Sequence, residues 1–88
     1  MATIVKTYYF SHDIEICDQV IMENTIEELH NLGIITFVII RTTKKKDKNY
    51  ISEINILLDS NDDINEDDLS YAIENMKTKL LGGNYNDS

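Results

Sequence analysis

The hydrophobic pattern of this chain changes period along its length. Thr3–Phe10 (TIVKTYYF) is β-branched and aromatic, with Ile4, Lys6, Tyr8 and Phe10 alternating against Thr3, Val5, Thr7 and Tyr9. A two-residue period sends neighbouring side chains to opposite faces of a sheet, so this run predicts a first strand. Alternation also requires that Tyr8 or Tyr9 point away from the core. Ser11, His12 and Asp13 break the run, and Ser11 or Asp13 is suited to cap a helix by accepting from the free N–H groups of its first turn. Ile14, Cys17 and Ile21 then recur at helical spacing, and Met22, Ile26, Leu29 and Leu32 do so on a rotated face. Together they predict a helix over Ile14–Leu32. Thr25 followed by Glu28 matches a capping box, which places a bend near Asn24 and Thr25. A competing reading is partly extended, because Ile14/Ile16 and Val20/Met22 also alternate. Gly33 suits the left-handed position that closes a helix.

Ile34–Thr43 (IITFVIIRTT) is almost continuously apolar, which predicts a strand buried on both faces and hence central in its sheet. Lys44–Asn49 is a polar turn. Tyr50–Asp59 follows as a third strand, with Tyr50, Ile54, Ile56 and Leu58 inward and Glu53, Asn55 and Asp59 outward. These two strands form a hairpin with lysines at its tip, where charge discourages edge-to-edge pairing. A second helix is signalled at both ends. Asn65 is a good N-cap, Asp68 occupies the capping-box position, and Glu66, Asp67 and Asp68 complement the helix dipole. Leu69, Ala72, Ile73, Met76 and Leu80 form its apolar stripe. Lys77 and Lys79 suit its last turn, and Gly82–Gly83 stop it. The expected architecture is one α+β domain over residues 1–83, order β-α-β-β-α: a three-stranded sheet with two helices on one face. A frayed tail follows at Asn84–Ser88.

Composition narrows the class. Eighty-eight residues with a 42% hydrophobic fraction support one small core and exclude a disordered acidic tail. The longest apolar run, Ile34–Ile40 with Thr36 inside it, falls far short of the roughly 20 residues of a membrane span. No charged-then-apolar leader opens the chain. A single Cys17 excludes an intramolecular disulfide framework and fits a reducing setting, so the expected location is cytoplasmic. Eight Lys and Arg face sixteen Asp and Glu, a formal charge of −8. Five of the eight cations lie within Arg41–Lys48, leaving three bases against fifteen acids elsewhere. Such a body repels nucleic acid and anionic membrane and attracts basic partners.

Candidate chemistry is sparse. Asp59, Asp62, Asp63, Glu66, Asp67 and Asp68 crowd six carboxylates into ten residues. A calcium loop starting at Asp59 would need Gly at its sixth position and Glu at its twelfth, where Ile64 and Ser70 stand. Cys17 reads as a small hydrophobe on the first helix. His30 lies about 20 Å further along that helix, and His12 has no orienting third group, so no nucleophile–base pair forms. Two His and one Cys do not make a structural zinc set, and the glycines form no phosphate cradle. The Lys44–Lys48 tip has only Tyr50 beside it for stacking and sits on an acidic body, which argues against direct nucleic-acid binding. The expectation is a non-enzymatic protein without cofactor or metal. Tyr8, Tyr9, Phe10, Tyr50 and Tyr71 are many aromatics for so small a core, so one sheet face is expected to be exposed. Tyr9 and Phe10 are then the candidates for self-association, most simply as a homodimer.

A short chain without Pro or Trp, rich in Ile, Asn, Asp and Lys and devoid of catalytic motifs, resembles the small acidic early proteins of T-even-like bacteriophages. In size and charge it is most similar to the anti-restriction nuclease (Arn) family, described as dimeric mimics of double-stranded DNA that act on a modified-cytosine restriction endonuclease and on the nucleoid protein H-NS. The resemblance implies a DNA-mimicking inhibitor of a host defence or nucleoid protein, within the host cell. The Lys44–Lys48 tip departs from a purely anionic surface. Independently, helix carboxylates at i, i+3 and i+4 stand about 5–6 Å apart, near phosphate spacing. The first helix offers Glu15, Asp18, Glu23, Glu27 and Glu28 to a basic nucleic-acid-binding partner. The second, with the loop before it, offers Asp59, Asp62, Asp63, Glu66, Asp67, Asp68 and Glu74. The alternative is a shape-specific inhibitor or antitoxin-like module recognised through the exposed aromatic sheet face.

Overall fold

A computed structural model describes residues 2–82. The elements are β1 (Thr3–His12), α1 (Asp18–Asn31), β2 (Phe37–Lys44), β3 (Tyr50–Asp59) and α2 (Glu66–Leu80), the expected α+β order. All strand pairs are antiparallel and the sheet order is β1-β3-β2. The predicted central position of the Ile34–Thr43 segment is thereby corrected: β3 lies between the other two, and β2 is an edge. The apolar residues on the second face of β2 are not buried by another layer. They stand on a sheet face that no element among the described residues covers.

Register assigns the two faces. Ile54, Ile56 and Leu58 of β3 point toward the helices, opposite Tyr8, Lys6 and Ile4 of β1 and beside Ile40 and Val38 of β2. With Phe10 from β1 they meet Ile21 and Leu29 of α1 and Leu69, Ala72, Ile73 and Met76 of α2 in one core. The second-helix stripe is as expected, with Leu80 half-buried at its end. Truncating any of the large fully buried members, such as Ile54 or Ile73, costs about 2–5 kcal/mol by lost transfer energy and residual cavity.

The helix ends follow from local chemistry. α1 begins at Asp18, not Ile14. Cys17 is its N-cap, with extended φ −62° and ψ 137° and no side-chain cap bond, so neither Ser11 nor Asp13 serves that purpose. Cys17 is exposed, which corrects its expected place among packed hydrophobes. The helix is unbroken through Asn24 and Thr25. The Thr25 hydroxyl is buried and donates to the Ile21 carbonyl at 2.7 Å, four residues back. A hydroxyl so satisfied sits within a helix rather than capping a new one. At the C-terminus Gly33, at φ +82°, donates to His30 O (2.8 Å) while Ile34 N–H reaches Leu29 O (2.9 Å). This is the pair of bonds that a left-handed C′ residue allows. In α2 the Asn65 Oδ1 accepts from Asp67 N–H at 2.7 Å. Gly83 and the tail expected to fray, Asn84–Ser88, lie outside the described residues.

Candidate functional site

The carboxylates expected on the two helices fall mostly into three places, with Glu74 apart on α2. Asp18 opens α1 beside the sheet, accepting from Thr42 Oγ1 at 2.5 Å, with exposed Glu15 just before it. Glu23 is exposed one turn on and accepts from Gln19 Nε2 at 3.0 Å. Near the other end of α1, Glu27 and Glu28 lie 3.8 and 2.6 Å from the Lys79 ammonium in the last turn of α2. The third group belongs to the loop and first turn that lead into α2.

Packing buries one of these acids, and pairing or turn formation occupies several others that stay at the surface. The Glu28 side chain is only 7% exposed, points between the helices, and also accepts from Asn75 Nδ2 at 3.4 Å. Its expected role as a partner contact is therefore corrected: it is a structural acid whose charge Lys79 balances. The hydrogen bond to Glu28 holds the Lys79 ammonium above its ordinary range. Glu66 is paired with Lys6 of β1, and the hydrogen bond lowers the carboxyl and raises the ammonium. Glu74 lies 3.2 Å from Lys77. Asp59 is half-buried at the end of β3 and turns the chain, its Oδ1 accepting from Asn61 N–H at 2.9 Å.

Asp62, Asp63, Asp67 and Asp68 remain exposed, and among the described residues none is within 4 Å of a cation. The first two face a shallow groove in which the β3–α2 loop meets the α1–β2 loop. Asp62, Asp63 and Ile64 form one wall and Leu32–Ile35 the other. Ile35 is 85% exposed there, so acid and apolar surface adjoin.

A buried polar chain at the far end of the sheet was not legible in the sequence. His12 is buried, stacks on Tyr50 with ring centroids 5.4 Å apart, and its Nδ1 is 2.7 Å from Ile14 O. Its Nε2 lies 2.9 Å from Ser52 Oγ, which lies 2.7 Å from Thr42 Oγ1. Ser52 is fully buried, so this His–Ser contact ties β1, β3, β2 and, through Asp18, α1 together without presenting a nucleophile. The only signal for it in the sequence is a polar residue on the inward side of each strand. His30 is exposed.

The uncovered sheet face carries Tyr9 and not Phe10. Tyr9 is 59% exposed, whereas Phe10 is 1% exposed and belongs to the core, so the expected role of Phe10 in self-association is corrected. Strand alternation allows only one of two neighbours on each side. No protein family, curated protein or solved structure matches this chain. Among the described residues, no helix is long and apolar enough to cross a membrane.

Proposed function

We infer that this chain is a non-enzymatic acidic binding module that occupies the nucleic-acid-binding site of a basic host protein. The observation that carries this reading is the set Asp62, Asp63, Asp67 and Asp68, exposed and, among the described residues, without cations within 4 Å, with Asp62 and Asp63 lining the groove of Leu32–Ile35. In this reading the carboxylates would take the contacts that a DNA-binding surface otherwise makes to phosphates. The adjoining apolar groove supplies contact area that a purely ionic surface lacks. The first turn of α2 is held by Leu69 and Ile73 in the core and by the Asn65 cap. A charge array on a fixed backbone loses little freedom on binding. The resemblance to phage DNA mimics points the same way.

The test is competition. A partner retained from host lysate on the immobilised protein should be displaced by duplex DNA. Its affinity should fall about a hundredfold between about 50 and 200 mM salt, if four charges are engaged as phosphates would be. The quadruple change Asp62→Asn, Asp63→Asn, Asp67→Asn, Asp68→Asn should abolish retention with the fold intact. A partner that stays bound in saturating DNA and is lost on Tyr9→Ser instead would replace this reading with recognition through the sheet.

A further inference from the structure

The open face of the sheet sorts its charge along the strands. Where β1 starts and β3 stops it carries Asp59, opposite Thr3. At the hairpin end it carries Arg41 and Lys45. Strand alternation divides the lysines of the tip between the two faces. Lys44 turns to the helical side, its ammonium 5.9 Å from the centre of the Tyr50 ring. Lys45, one residue on, joins Tyr9, Arg41 and Thr43 on the other side.

These residues line a shallow depression of about 430 Å³. Small-molecule sites occupy roughly 300–1,000 Å³. The register sets its layout. Tyr9, Glu53 and Arg41 form one row across the three strands, and Ser11, Ile51 and Thr43 the next. Tyr9 is 59% exposed and offers an aromatic ring on β1. Ile51, half-buried, gives the floor an apolar centre, and the Ser11 and Thr43 hydroxyls are exposed on either side of it. Arg41 and Lys45 flank Thr43 along β2, about 14 Å apart at the backbone, so their long side chains can converge over its hydroxyl. Among the described residues neither cation is in an ion pair. A guanidinium and an ammonium beside a hydroxyl are the donors that a phosphate takes. From Thr43 to Tyr9 is two strand spacings, about 10 Å, comparable with the reach from phosphate to base in a nucleoside 5′-monophosphate. Glu53 lies between Tyr9 and Arg41. Its Oε2 accepts from Asn55 Nδ2 at 3.0 Å, which leaves Oε1 to accept from an amino group on a bound ring.

The net charge of −8 does not oppose an anion at this end. Asp59 stands at the far end of β3, about 30 Å from the hairpin, and the acids that lead into α2 follow it. Charges are screened over about 10 Å at 0.1 M salt. Asp18 is nearer, but it accepts from Thr42 on the helical face. Around the site, Arg41–Lys48 holds five cations against Asp47.

We propose that this depression binds a phosphate monoester of the nucleotide class, with the base against Tyr9 and the phosphate over Thr43 between Arg41 and Lys45. A free nucleotide and the 5′ end of a single-stranded nucleic acid both carry that group. The proposal does not rest on the acidic surface having a partner, and its test uses the purified chain alone. Titration of the isotope-labelled protein with AMP at low salt should give saturable amide shifts at Tyr9, Ser11, Thr43, Lys45 and Ile51. The dissociation constant should rise about tenfold for Tyr9→Ser, which removes the stacking ring. It should rise at least about tenfold for Arg41→Gln combined with Lys45→Gln. Lys46→Gln, in the same tip but outside the depression, should change it by less than about twofold. All four positions are exposed, so unchanged circular dichroism separates lost contacts from lost folding. Adenosine and inorganic phosphate should each bind at least about tenfold more weakly than AMP, because neither engages both the ring and the cations. A 5′-phosphorylated oligoadenylate that binds no more tightly than AMP assigns the site to free nucleotides, and one that binds about tenfold more tightly assigns it to nucleic-acid ends. Absence of a saturable shift at ~10 mM AMP would overturn the proposal. So would inorganic phosphate binding as tightly as AMP, or a folded Arg41→Gln, Lys45→Gln variant that binds AMP like the parent.

Discussion

Ser52 shows how much one small side chain can hold. It is fully buried, and its hydroxyl lies between His12 Nε2 and Thr42 Oγ1. Ser52→Ala leaves the buried imidazole nitrogen without a partner and should cost about 1–3 kcal/mol in urea unfolding. An exposed serine such as Ser70 should tolerate the same change within experimental error. His12 is for the same reason a poor probe of catalysis, since removing it disturbs the core. Cys17→Ser and His30→Ala are the clean tests, and both should leave binding unchanged. The Lys6–Glu66 pair makes a prediction with a sign. The folded-state value of Glu66 is lowered, so its contribution is fully present above the ordinary carboxylate range and is lost as pH falls through the lowered value. Lys6 is raised, so its contribution is lost only as pH rises through that raised value. Glu66→Gln should therefore reduce stability at neutral pH and converge with the parent in strongly acidic solution, as followed by denaturant midpoints across pH.

At the scale of the element, the caps are the weak links and the easiest to test. Asn65→Ala removes the bond to Asp67 N–H and should cost about 1 kcal/mol, read as a lower urea midpoint at unchanged m-value. Gly33→Ala should cost roughly 1–2 kcal/mol although nothing lies within 4 Å of the added methyl, because the strain comes from φ +82° alone. The comparison between α1 and α2 is also informative. Lys79→Met strands the Glu28 carboxylate between the helices, whereas Lys77→Met frees a Glu74 that is already in water. Thermal melts should show the larger loss for Lys79→Met.

For the molecule as a whole, the two faces of the sheet differ in charge and polarity. The helical side and its loops carry most of the acid, and the open side carries balanced charge and bare apolar surface. Net self-repulsion of a −8 chain is screened by salt, so any association of this chain with itself should be tighter in moderate salt than in low salt. Binding of a basic partner should respond in the opposite direction. A salt series on both equilibria separates the two surfaces without any substitution.

Features governed by neighbours in the chain are legible in the sequence. The alternation of Tyr50–Asp59 named the inward set Ile54, Ile56 and Leu58, and the 3.6-residue stripe of α2 named Leu69, Ala72, Ile73 and Met76. Gly33 and Asn65 marked helix ends by backbone and side-chain chemistry that acts over three or four residues. The start of α1 differs from the pattern: Ile14, Cys17 and Ile21 fit helical spacing, yet the segment before Asp18 is not helical, with Cys17 extended, Ile14 exposed and Ile16 packed against the core. What pattern could not supply depends on contacts distant in sequence. Apolarity on both sides of β2 is the same whether a second layer covers it or leaves it bare, so strand order settled it as an edge. Glu28 is separated from Asn75 by 47 positions and His12 from Ser52 by 40, and no local rule links such pairs. Whether a carboxylate is a surface charge or an internal one is therefore a property of the packed helices: Glu28 and Asp68 look alike in the sequence, and only the approach of Lys79 separates them.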